Sequence, residues 1–486
     1  MPGADPTSSP SPASPGGRPD LSGSRRVHVI GAGGSGMSAI ATVLAAMGHR
    51  VTGSDAADST ALRRLAGLGV EVRVGHAPDL VDQADVVVRS TAVPDRDPEV
   101  LRAAQSSKRV WRRAEALAAI CALGRTAAVS GTHGKTTTSA MLSVTMERLG
   151  WHPSMIVGGE ISGMGSGARW DPAGAWLVVE ADESDGTFLE LGAEVVVVTS
   201  VEADHLEFYG GMAALEAAFE RFVREAPGPA VVCADDPGAA RLAGIPGRSG
   251  PTAITYGTGT GASVRITEVV LGRDEADFRV TWSDGGTGPV HLRVPGLHNV
   301  RNATAVVAAT TAMGADRPAA LEAVGEYRGV GRRFERRGET AGVDFVDGYD
   351  HLPTEVAAAI ATARSGGWNR VVVVFQPHRY SRTEALWQDF GRAFSGADVV
   401  VITGIYAAGE APRPGITGEL VCRAVREAQP EAEVHFCPDL RSAAEVVPGL
   451  LRPGDLCLTL GAGDITTLAD RLQERLAPPG GGRAEE

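Results

Sequence analysis

Two glycine-rich loops, each lying between a short apolar strand and a helix, constrain the fold of this chain more than any other feature. In VHVIGAGGSGMSAI (27–40), Gly31, Gly33 and Gly36 have G-x-G-x-x-G spacing. The second loop lies in AVSGTHGKTTTSA (128–140). A strand, a glycine loop and a helix in this order bring backbone N–H groups and a helix N-terminus to one edge of a parallel sheet, where phosphate groups bind. The two loops therefore predict an α/β protein with two phosphate-binding sites.

Apolar strands alternate with helical segments in three blocks, which is the pattern of parallel α/β domains. In the second block the strands are Val-rich runs such as 195–200, which is typical of strands covered on both faces. Between 252 and 294 the strands alternate in polarity, which predicts a small antiparallel sheet. The predicted organisation is a disordered tail (1–24), a Rossmann-like domain (25–113), a central domain with a parallel sheet and the small antiparallel sheet (114–326), a second Rossmann-like domain (327–478) and a tail (479–486).

The composition excludes several classes of protein. With 59 acidic and 46 basic side chains the net charge is −13, whereas general nucleic-acid binding needs a basic face. The 5 cysteines form no C-x-x-C pair, which argues against a zinc site and against a disulfide framework. No apolar run approaches the roughly 18 residues of a membrane-spanning helix, and the first 24 residues contain no apolar signal-peptide core. We therefore expect a cytoplasmic protein that binds neither nucleic acid nor membranes.

The second loop has the residues of a phosphate-binding P-loop in the short G-x-x-G-K-T form. In such a loop the lysine reaches the terminal phosphate oxygens, and the Thr136 hydroxyl holds Mg²⁺. Only two of the 46 basic residues are lysines, Lys108 and Lys135, so a lysine in this solvent-facing loop indicates a need for a compact cation. We predict that 114–326 is a P-loop ATPase domain that uses ATP and Mg²⁺. The predicted ATP-binding residues of the loop are Gly131, Thr132, His133, Gly134, Lys135, Thr136 and Thr137.

Acidic motifs follow two later strands of the same block. One predicted strand ends at Glu180 in EADESD, and another leads into VEADH, which ends at His205. Because the carboxyl ends of parallel strands meet at one edge of a sheet, we expect both motifs beside the P-loop. Carboxylate and hydroxyl oxygens suit Mg²⁺. The sequence thus predicts a metal site formed by Thr136, Glu180 and His205.

The first loop, considered alone, is the fingerprint of a dinucleotide-binding protein. Asp55 ends the second strand 19 residues after Gly36, where such folds place the acid that binds a ribose hydroxyl. An NAD-dependent dehydrogenase is therefore one hypothesis. It leaves the P-loop and EADESD unexplained.

Six motifs together resemble the Mur ligases of peptidoglycan synthesis, and the resemblance extends from Val27 to about Leu476. Within that family it is strongest for the members that add alanine. The motifs are GTHGKTTT (131–138), EADESD (180–185), GLHNVRN (296–302), GVGRRFE (329–335), FQPHRYSRT (375–383) and YAAGEAP (406–412).

The resemblance implies a division of labour between the two loops. It implies that the first loop holds the diphosphate of a UDP-sugar, that the second domain binds ATP, and that the third carries the amino acid. The implied UDP-sugar residues are Gly31, Gly33, Gly34, Ser35, Gly36 and Asp55. The implied nucleotide residues beyond the P-loop are Asn299, Asn302, Arg333 and Asp347, and the implied amino-acid residues are His351, His378, Arg379 and Arg382.

The resemblance also implies the reaction. The lactyl carboxylate of UDP-N-acetylmuramate attacks the γ-phosphate of ATP to give an acyl phosphate, which the amine of L-alanine then attacks. The resemblance gives Lys135, Glu180, His205 and Arg333 catalytic roles. Sister enzymes that add later residues are similar in carrying a carbamoylated lysine near the metals, and this chain has no lysine after Lys135. We expect a monomer or weak homodimer acting on small molecules.

The chain departs from the family pattern at four positions, and the departures leave alternatives open. Ser200 replaces an asparagine, Gly348 an acidic or small polar residue, Asp350 a Gly or Ala, and Leu352 a histidine. The segment 346–356 reads VDGYDHLPTEV where the family usually reads close to DDYGHHPTE. One alternative is a related ligase for another amino acid or a peptide. Another is a nucleotide-binding paralogue without activity.

Overall fold

The computed structural model describes residues 20–477, which form two compact units separated after Leu123. Of the predicted tails, residues 1–19 and 478–486 lie outside the described residues. Residues 20–24, which the sequence assigns to the first tail, are ordered, because Leu21 is buried and the Ser24 hydroxyl donates to the carbonyl of Gly48. Among the described helices, none combines the length and the apolar character needed to cross a membrane.

The first unit contains five strands and five helices. The strands are β1 (Arg26–Ile30), β2 (Arg50–Asp55), β3 (Glu71–Val74), β4 (Val86–Arg89) and β5 (Arg109–Arg112). The helices are α1 (Ser35–Ala46), α2 (Thr60–Gly67), α3 (Pro78–Gln83), α4 (Pro98–Gln105) and α5 (Arg113–Cys121).

The second unit contains the remaining elements. Its strands are β6 (Arg125–Ser130), β7 (Ser154–Ile156), β8 (Ala168–Arg169), β9 (Trp176–Glu180), β10 (Val195–Val198), β11 (Ala230–Cys233), β12 (Ile254–Gly257), β13 (Val264–Leu271), β14 (Ala276–Trp282), β15 (Thr287–Leu292), β16 (Glu335–Thr340), β17 (Val343–Gly348), β18 (Arg370–Phe375), β19 (Val399–Thr403), β20 (Glu433–Cys437) and β21 (Asp455–Leu460). Its helices are α6 (Lys135–Arg148), α7 (Leu206–Tyr209), α8 (Met212–Glu225), α9 (Pro237–Ala240), α10 (Leu297–Ala312), α11 (Arg317–Val324), α12 (Pro353–Ser365), α13 (Tyr380–Leu386), α14 (Phe390–Ala393), α15 (Glu419–Ala428), α16 (Leu440–Val446) and α17 (Leu468–Leu476).

The sheet of the first unit is parallel, with strand order β3-β2-β1-β4-β5. The chain reverses its direction of travel across the sheet between β1 and β4, and ligands bind at the carboxyl ends of strands at such a point. The first glycine loop follows β1 there. Helix α5 belongs to this unit, so the first boundary in the structure falls about ten residues after the predicted position at 113.

The middle part of the second unit is one mixed sheet, in the order β15-β14-β13-β12-β11-β10-β6-β9-β7-β8. Strand β6 pairs in parallel with β10 on one side and β9 on the other. The P-loop that follows β6 is therefore flanked by both acidic strand ends, as the sequence predicts. The antiparallel strands β13, β14 and β15 continue this sheet, because β13 pairs in parallel with β12.

The last part of the second unit has the order β16-β17-β21-β18-β19-β20, in which only the β16–β17 pair is antiparallel. Strand β18 is apolar on both faces. Val371, Val373 and Phe375 face one core cluster, whereas Val372 and Val374 face the other, since successive side chains of a strand point to opposite sides. A strand buried on both faces holds its carboxyl end rigidly, and the segment 376–383 begins there.

Candidate active site

The first glycine loop is closed by Asp55. Gly31 has a φ of +78°, and the Gly33 N–H donates to Asp55 Oδ2 at 2.8 Å. The other carboxylate oxygen accepts from the Ala57 N–H at 3.1 Å. Asp55 thus joins the glycine loop to the residues that follow β2, and its contact with a ribose hydroxyl stays a prediction, since each carboxylate oxygen can accept a second hydrogen bond. A Cβ on Gly33 would lie 2.8 Å from Asp55 Oδ2, so this glycine is needed for the loop itself.

The P-loop has the left-handed backbone that its glycines permit. Gly131 has a φ of +135° and Gly134 a φ of +76°. A Cβ on Gly131 would collide with the Thr199 hydroxyl and lie 2.8 Å from the Ser200 nitrogen. Ser200 supports the loop, since its hydroxyl accepts from the His133 N–H at 2.9 Å. The serine thus supplies the loop with one acceptor at the position of the family's asparagine.

Lys135 is partly buried and engaged by protein groups, which differs from the expectation of a solvent-facing side chain. Only 16% of the side chain is exposed, and Nζ donates to Glu183 Oε1 at 2.9 Å and to the Gly131 carbonyl at 2.6 Å. Burial alone would lower the pKa of Lys135, but the carboxylates of Glu183, Asp182 and Glu180 outweigh it and raise the pKa. Glu183 was missed by sequence analysis. The signal was present in EADESD, which offers four acids, but its first carboxylate alone was chosen.

Thr136 and Glu180 lie together, as predicted. The Thr136 hydroxyl donates to Glu180 Oε1 at 2.9 Å, and the Gly158 N–H donates to Oε2 at 2.6 Å. Arg333 reaches the same hydroxyl at 3.4 Å from the last part of the chain. These hard oxygen donors fit Mg²⁺, and the second oxygen of Glu183 is buried without a hydrogen-bond partner among the described residues.

His205 does not join this pair. No hydrogen bond or ion pair of the described residues links it to Thr136 or Glu180. Its Nε2 lies 3.3 Å from Asp204 Oδ2 instead. Its placement in the metal site is therefore not supported by the contacts of this conformation. His205 has a φ of +54° and precedes α7, which turns its ring toward Asp204.

A separate cluster of possible metal ligands lies in the first unit. One ligand atom from each of His76, Asp97 and Glu99 lies within 4.8 Å of the others. Glu99 is already bonded to His28 Nε2 at 2.9 Å and to the Ser54 hydroxyl at 3.0 Å. Asp97 caps α4. Hydrogen bonding within the unit accounts for these acids without an ion.

His133 connects the P-loop to the last part of the chain. Its Nε2 lies 2.9 Å from the Thr354 hydroxyl and 3.1 Å from Glu202 Oε2, and its Nδ1 lies 3.3 Å from Glu355 Oε1. Burial alone would lower the pKa of His133. The hydrogen bonds and charges of Glu202 and Glu355 outweigh burial and raise the pKa to about 10. The imidazolium is thus held between two carboxylates from different parts of the unit.

The raised pKa of His133 predicts a pH dependence of stability. A group whose pKa rises from about 6.5 in the unfolded chain to a higher folded value stabilises the fold fully below pH 6.5 and loses that effect as pH rises through the folded value. We expect H133N to be less stable than the parent by about 2–4 kcal/mol at pH 6, with the difference shrinking steadily toward pH 10. Unfolding of both proteins across this range measures it. H291N, at a half-exposed histidine, is the control, and a difference that stays constant with pH would refute the assignment.

A cleft of about 340 Å³ adjoins the P-loop. Asn302 lines it, together with His133, Gly134, Thr137 and Arg333. Of the two asparagines predicted to bind ATP, Asn299 is turned away, because its amide donates to the Pro295 carbonyl at 2.7 Å. The cleft is large enough for part of a nucleotide, and the phosphate loop forms one of its walls.

Of the two acids on β17 and its following loop, the one predicted to bind ATP does not line the cleft and the other does. Asp347, predicted to bind ATP, is fully buried, and its oxygens accept from the Thr459 and Thr466 hydroxyls at 2.9 and 2.8 Å. It does not line the cleft. Asp350 does. Leu352 is 3% exposed and lies in the core, so its departure from the family pattern does not alter the cleft wall.

Three of the four predicted amino-acid residues form one cluster. Arg382 donates to Asp204 at 3.0 and 3.2 Å and to His378 Nδ1 at 2.9 Å, and the His351 ring lies 5.7 Å from that of His378. Burial, together with the neighbouring His351 and arginine charges, lowers the pKa of His378 to about 3, so this ring is neutral and accepts from Arg382. Arg379 lies on the same turn, and its side chain is 37% exposed, 3.8 Å from Glu207.

The fold and the site define a family of ATP-dependent ligases. Three family models match successive parts of the chain: Mur ligase family, catalytic domain (26–125), Mur ligase middle domain (129–310), and Mur ligase, glutamate ligase domain (332–463). The chain belongs to the Mur ligase family.

Individual relatives are similar over nearly their whole length. A UDP-N-acetylmuramate–L-alanine ligase of Kineococcus radiotolerans is 47% identical, with 93% of this chain and 96% of the relative covered. One of Nitratidesulfovibrio vulgaris is 43% identical, with 92% and 98% covered. A crystal structure of a UDP-N-acetylmuramate–alanine ligase from Thermotoga maritima superposes with a TM-score of 0.79 at 29% identity, covering 93% of this chain and 99% of that one.

Proposed function

We propose that the chain is an ATP-dependent ligase that joins L-alanine to the lactyl carboxylate of UDP-N-acetylmuramate, in the synthesis of peptidoglycan precursors. The observation that carries the proposal is the meeting of three groups at one sheet edge. The Glu180 carboxylate and Arg333 of the C-terminal part both contact the Thr136 hydroxyl of the P-loop, and Arg333 also lines the cleft beside His133 and Gly134. Relatives at 43–47% identity carry this activity in their names.

The reaction divides into two displacements. The lactyl carboxylate attacks the γ-phosphorus of ATP, the bond to the bridging oxygen breaks, and ADP leaves. The amine of alanine then attacks the acyl carbon and loses a proton, and inorganic phosphate leaves. Phosphoryl transfer of this kind depends on positioning and charge neutralisation. In the proposed site, Mg²⁺ supplies charge neutralisation to the phosphate oxygens when it is bound.

Residues of this chain have distinct roles in the proposal. Lys135 exchanges its contact with Glu183 for the phosphate oxygens, and Arg333 faces the same phosphates beside Thr136. Glu180 is available as a metal ligand because Thr136 already turns its hydroxyl toward it. Lys135 and Thr136 begin α6 and Glu180 ends β9, which fixes their positions, whereas Arg333 lies just before β16.

The amino-acid carboxylate is assigned to Arg379 in preference to Arg382. The guanidinium of Arg382 is occupied by Asp204 and His378, its side chain is 9% exposed, and the Asp204 contact joins the middle and C-terminal parts. The Arg379 side chain is 37% exposed, and no hydrogen bond among the described residues engages its guanidinium, although Glu207 lies 3.8 Å away and Glu410 interacts with its charge. An arginine with free donors suits a bidentate contact with a carboxylate.

We place the enzyme in the cytoplasm, where ATP and nucleotide sugars are available, and we expect a monomer or weak homodimer. The substrates are small molecules, and neither nucleic acid nor a membrane is needed for the reaction.

A phosphate-release screen tests the function. The protein is given ATP, Mg²⁺ and UDP-N-acetylmuramate with each amino acid in turn, and release of phosphate and formation of the amide are measured. We expect L-alanine to be the best substrate. A preference for another amino acid or for a peptide would identify the related ligase, and nucleotide binding without turnover would identify the inactive paralogue.

G36V tests the division of labour between the two loops. In this structure a Cβ at Gly36 would lie 3.5 Å from the Arg113 guanidinium, an ordinary contact, so the fold should tolerate the change. The side chain would project where the diphosphate approaches the start of α1. We expect the KM for UDP-N-acetylmuramate to rise about tenfold or more, and ATP binding measured without the sugar to stay within about twofold. The reverse pattern would mean that the first loop binds ATP.

A further inference from the structure

A carboxylate in the nucleotide cleft has a position that the neighbouring glycine makes possible. Strand β17 ends at Gly348, and Asp350 follows two residues later. A Cβ built on Gly348 would collide with Asp350 Oδ2 and lie 2.8 Å from Leu460 Cδ2. The Asp350 carboxylate therefore occupies the space that a side chain on residue 348 would fill.

Asp350 lacks the internal contacts that explain the other acids of this region. Asp347 is held by two threonine hydroxyls, and Glu355 accepts from the His351 and Leu352 N–H groups at 2.8 and 3.1 Å. Among the hydrogen bonds of the described residues, none runs from another residue to the Asp350 carboxylate. Its side chain lines the cleft. A cleft-facing acid without an internal partner is available to a ligand.

We propose that Gly348 and Asp350 act as a functional pair. Asp350 supplies a cleft-facing carboxylate that binds uncharged hydrogen-bond donors of the nucleotide, and Gly348 supplies the space for it. A carboxylate repels phosphates, so its partners on a nucleotide are hydroxyl or amino groups. The proposal rests on the ATP-dependent function proposed above and names a specificity-determining residue for it.

The sequence order supports the pairing. The resemblance described in the sequence analysis implies an acidic or small polar residue first and Gly or Ala two residues later, whereas this chain has Gly348 first and Asp350 second. The two side chains are exchanged across Tyr349. Because the exchanged carboxylate occupies the space beside residue 348, the cleft retains an acid in nearly the same place.

The electrostatic surroundings of Asp350 favour the binding of a hydrogen-bond donor to its carboxylate. Burial and the charge of Glu355 raise the pKa of Asp350 to about 7, against the opposing effect of Arg333. A hydroxyl or amino donor from a ligand would stabilise the ionised form. The acid is therefore expected to be more fully ionised with nucleotide bound than without it.

Four variants test the Gly348–Asp350 pair through direct binding of ATP, so that the result does not depend on ligase activity. In D350G we expect ATP to bind about tenfold or more weakly. In G348D we expect a comparable loss, since two carboxylates compete for one space. In the transposed variant G348D/D350G, binding should return to within about threefold of the parent. D350N, which keeps the shape, should bind more weakly than the parent.

Nucleotide analogues identify the donor. If a ribose hydroxyl is the partner, 2′-deoxy-ATP or 3′-deoxy-ATP should bind the parent more weakly than ATP does, and D350G should lose this discrimination. If the partner is the amino group of the base, ITP should bind the parent more weakly than ATP does, and D350G should lose this discrimination. Either pattern supports the assignment.

Two outcomes would overturn the proposal. One is ATP binding by D350G that equals the parent, and the other is a transposed variant no better than D350G. Thermal unfolding accompanies each measurement, and should G348D fail to fold, D350G and the transposed variant still decide the question. Normal ATP binding without phosphate release in the amino-acid screen would count against the proposed function but not against the role of the Gly348–Asp350 pair.

Discussion

Replacing Lys135 with alanine should lower the rate of ligation by about 10³-fold or more, because the compact cation that faces the terminal phosphate is lost. The lysine starts α6 and is directed along the loop by the carbonyls of Gly131 and Thr132. Arginine does not replace it, since the planar guanidinium is too broad for the loop. K135R is therefore expected to be nearly as impaired as K135A. Steady-state phosphate release with L-alanine measures both.

The buried pair with Glu183 adds an effect on stability. In K135A the Glu183 carboxylate, 3% exposed, is left without its cation, which costs on the order of 1–3 kcal/mol. K135A/E183Q should recover much of this stability without recovering activity. K108A is the matched control, since Lys108 is the only other lysine and donates to the Ala84 carbonyl in the first unit. Activity of K135A within tenfold of the parent would remove Lys135 from the mechanism.

The local parts of this fold and site could be predicted from sequence. Strands β1, β6 and β18 are each a short apolar run that ends at a glycine loop or a polar motif, which is the pattern that indicates a strand of a parallel sheet. The neighbourhood of Thr136 and Glu180 follows from the same logic. Both lie at carboxyl ends of parallel strands, and the order of adjacent strands brings such ends together.

The contacts that were missed depend on side-chain direction after a strand has ended. EADESD presents four acids, and only the path of the backbone decides that Glu180 faces Thr136 while Glu183 faces Lys135. The contacts of Asp55 could not be predicted for the same reason. Its position at a strand end is typical of a ribose-binding acid, yet the turn of the loop brings the Gly33 N–H to it first.

Contacts between the middle and C-terminal parts were beyond sequence analysis for another reason. Thr354 and Glu355 meet His133 only because the two parts pack together, and a separation of 221 residues leaves no periodic signal. The same holds for Asp204 and Arg382. Such pairs set the geometry of the cleft, and their charges explain the shifted pKa values of the site.

Replacing Glu180 with glutamine should raise the Mg²⁺ concentration needed for half-maximal activity by about tenfold or more and lower the maximal rate about 10²-fold. The amide keeps the size of the side chain but removes the charge that draws the cation to Thr136. Its oxygen can still accept from the Gly158 N–H while its NH₂ group donates to the Thr136 hydroxyl, so the local hydrogen bonds are kept. Titration of phosphate release with Mg²⁺ and with Mn²⁺ measures the effect.

E194Q provides the matched control for E180Q. Glu194 precedes β10 and therefore lies at the opposite edge of the same sheet, where its carboxylate pairs with Arg125 at 2.6 Å. We expect this variant to lose a little stability and to keep the Mg²⁺ dependence of the parent, because no phosphate or cation approaches that edge. An unchanged Mg²⁺ requirement in E180Q, or ADP formation by EDTA-treated parent protein at the full rate, would show that the metal is not held at Glu180. A raised Mg²⁺ requirement in E180Q but not in E194Q would instead show that the cation binds at the carboxyl edge of the sheet, where the P-loop and the acidic strand ends meet.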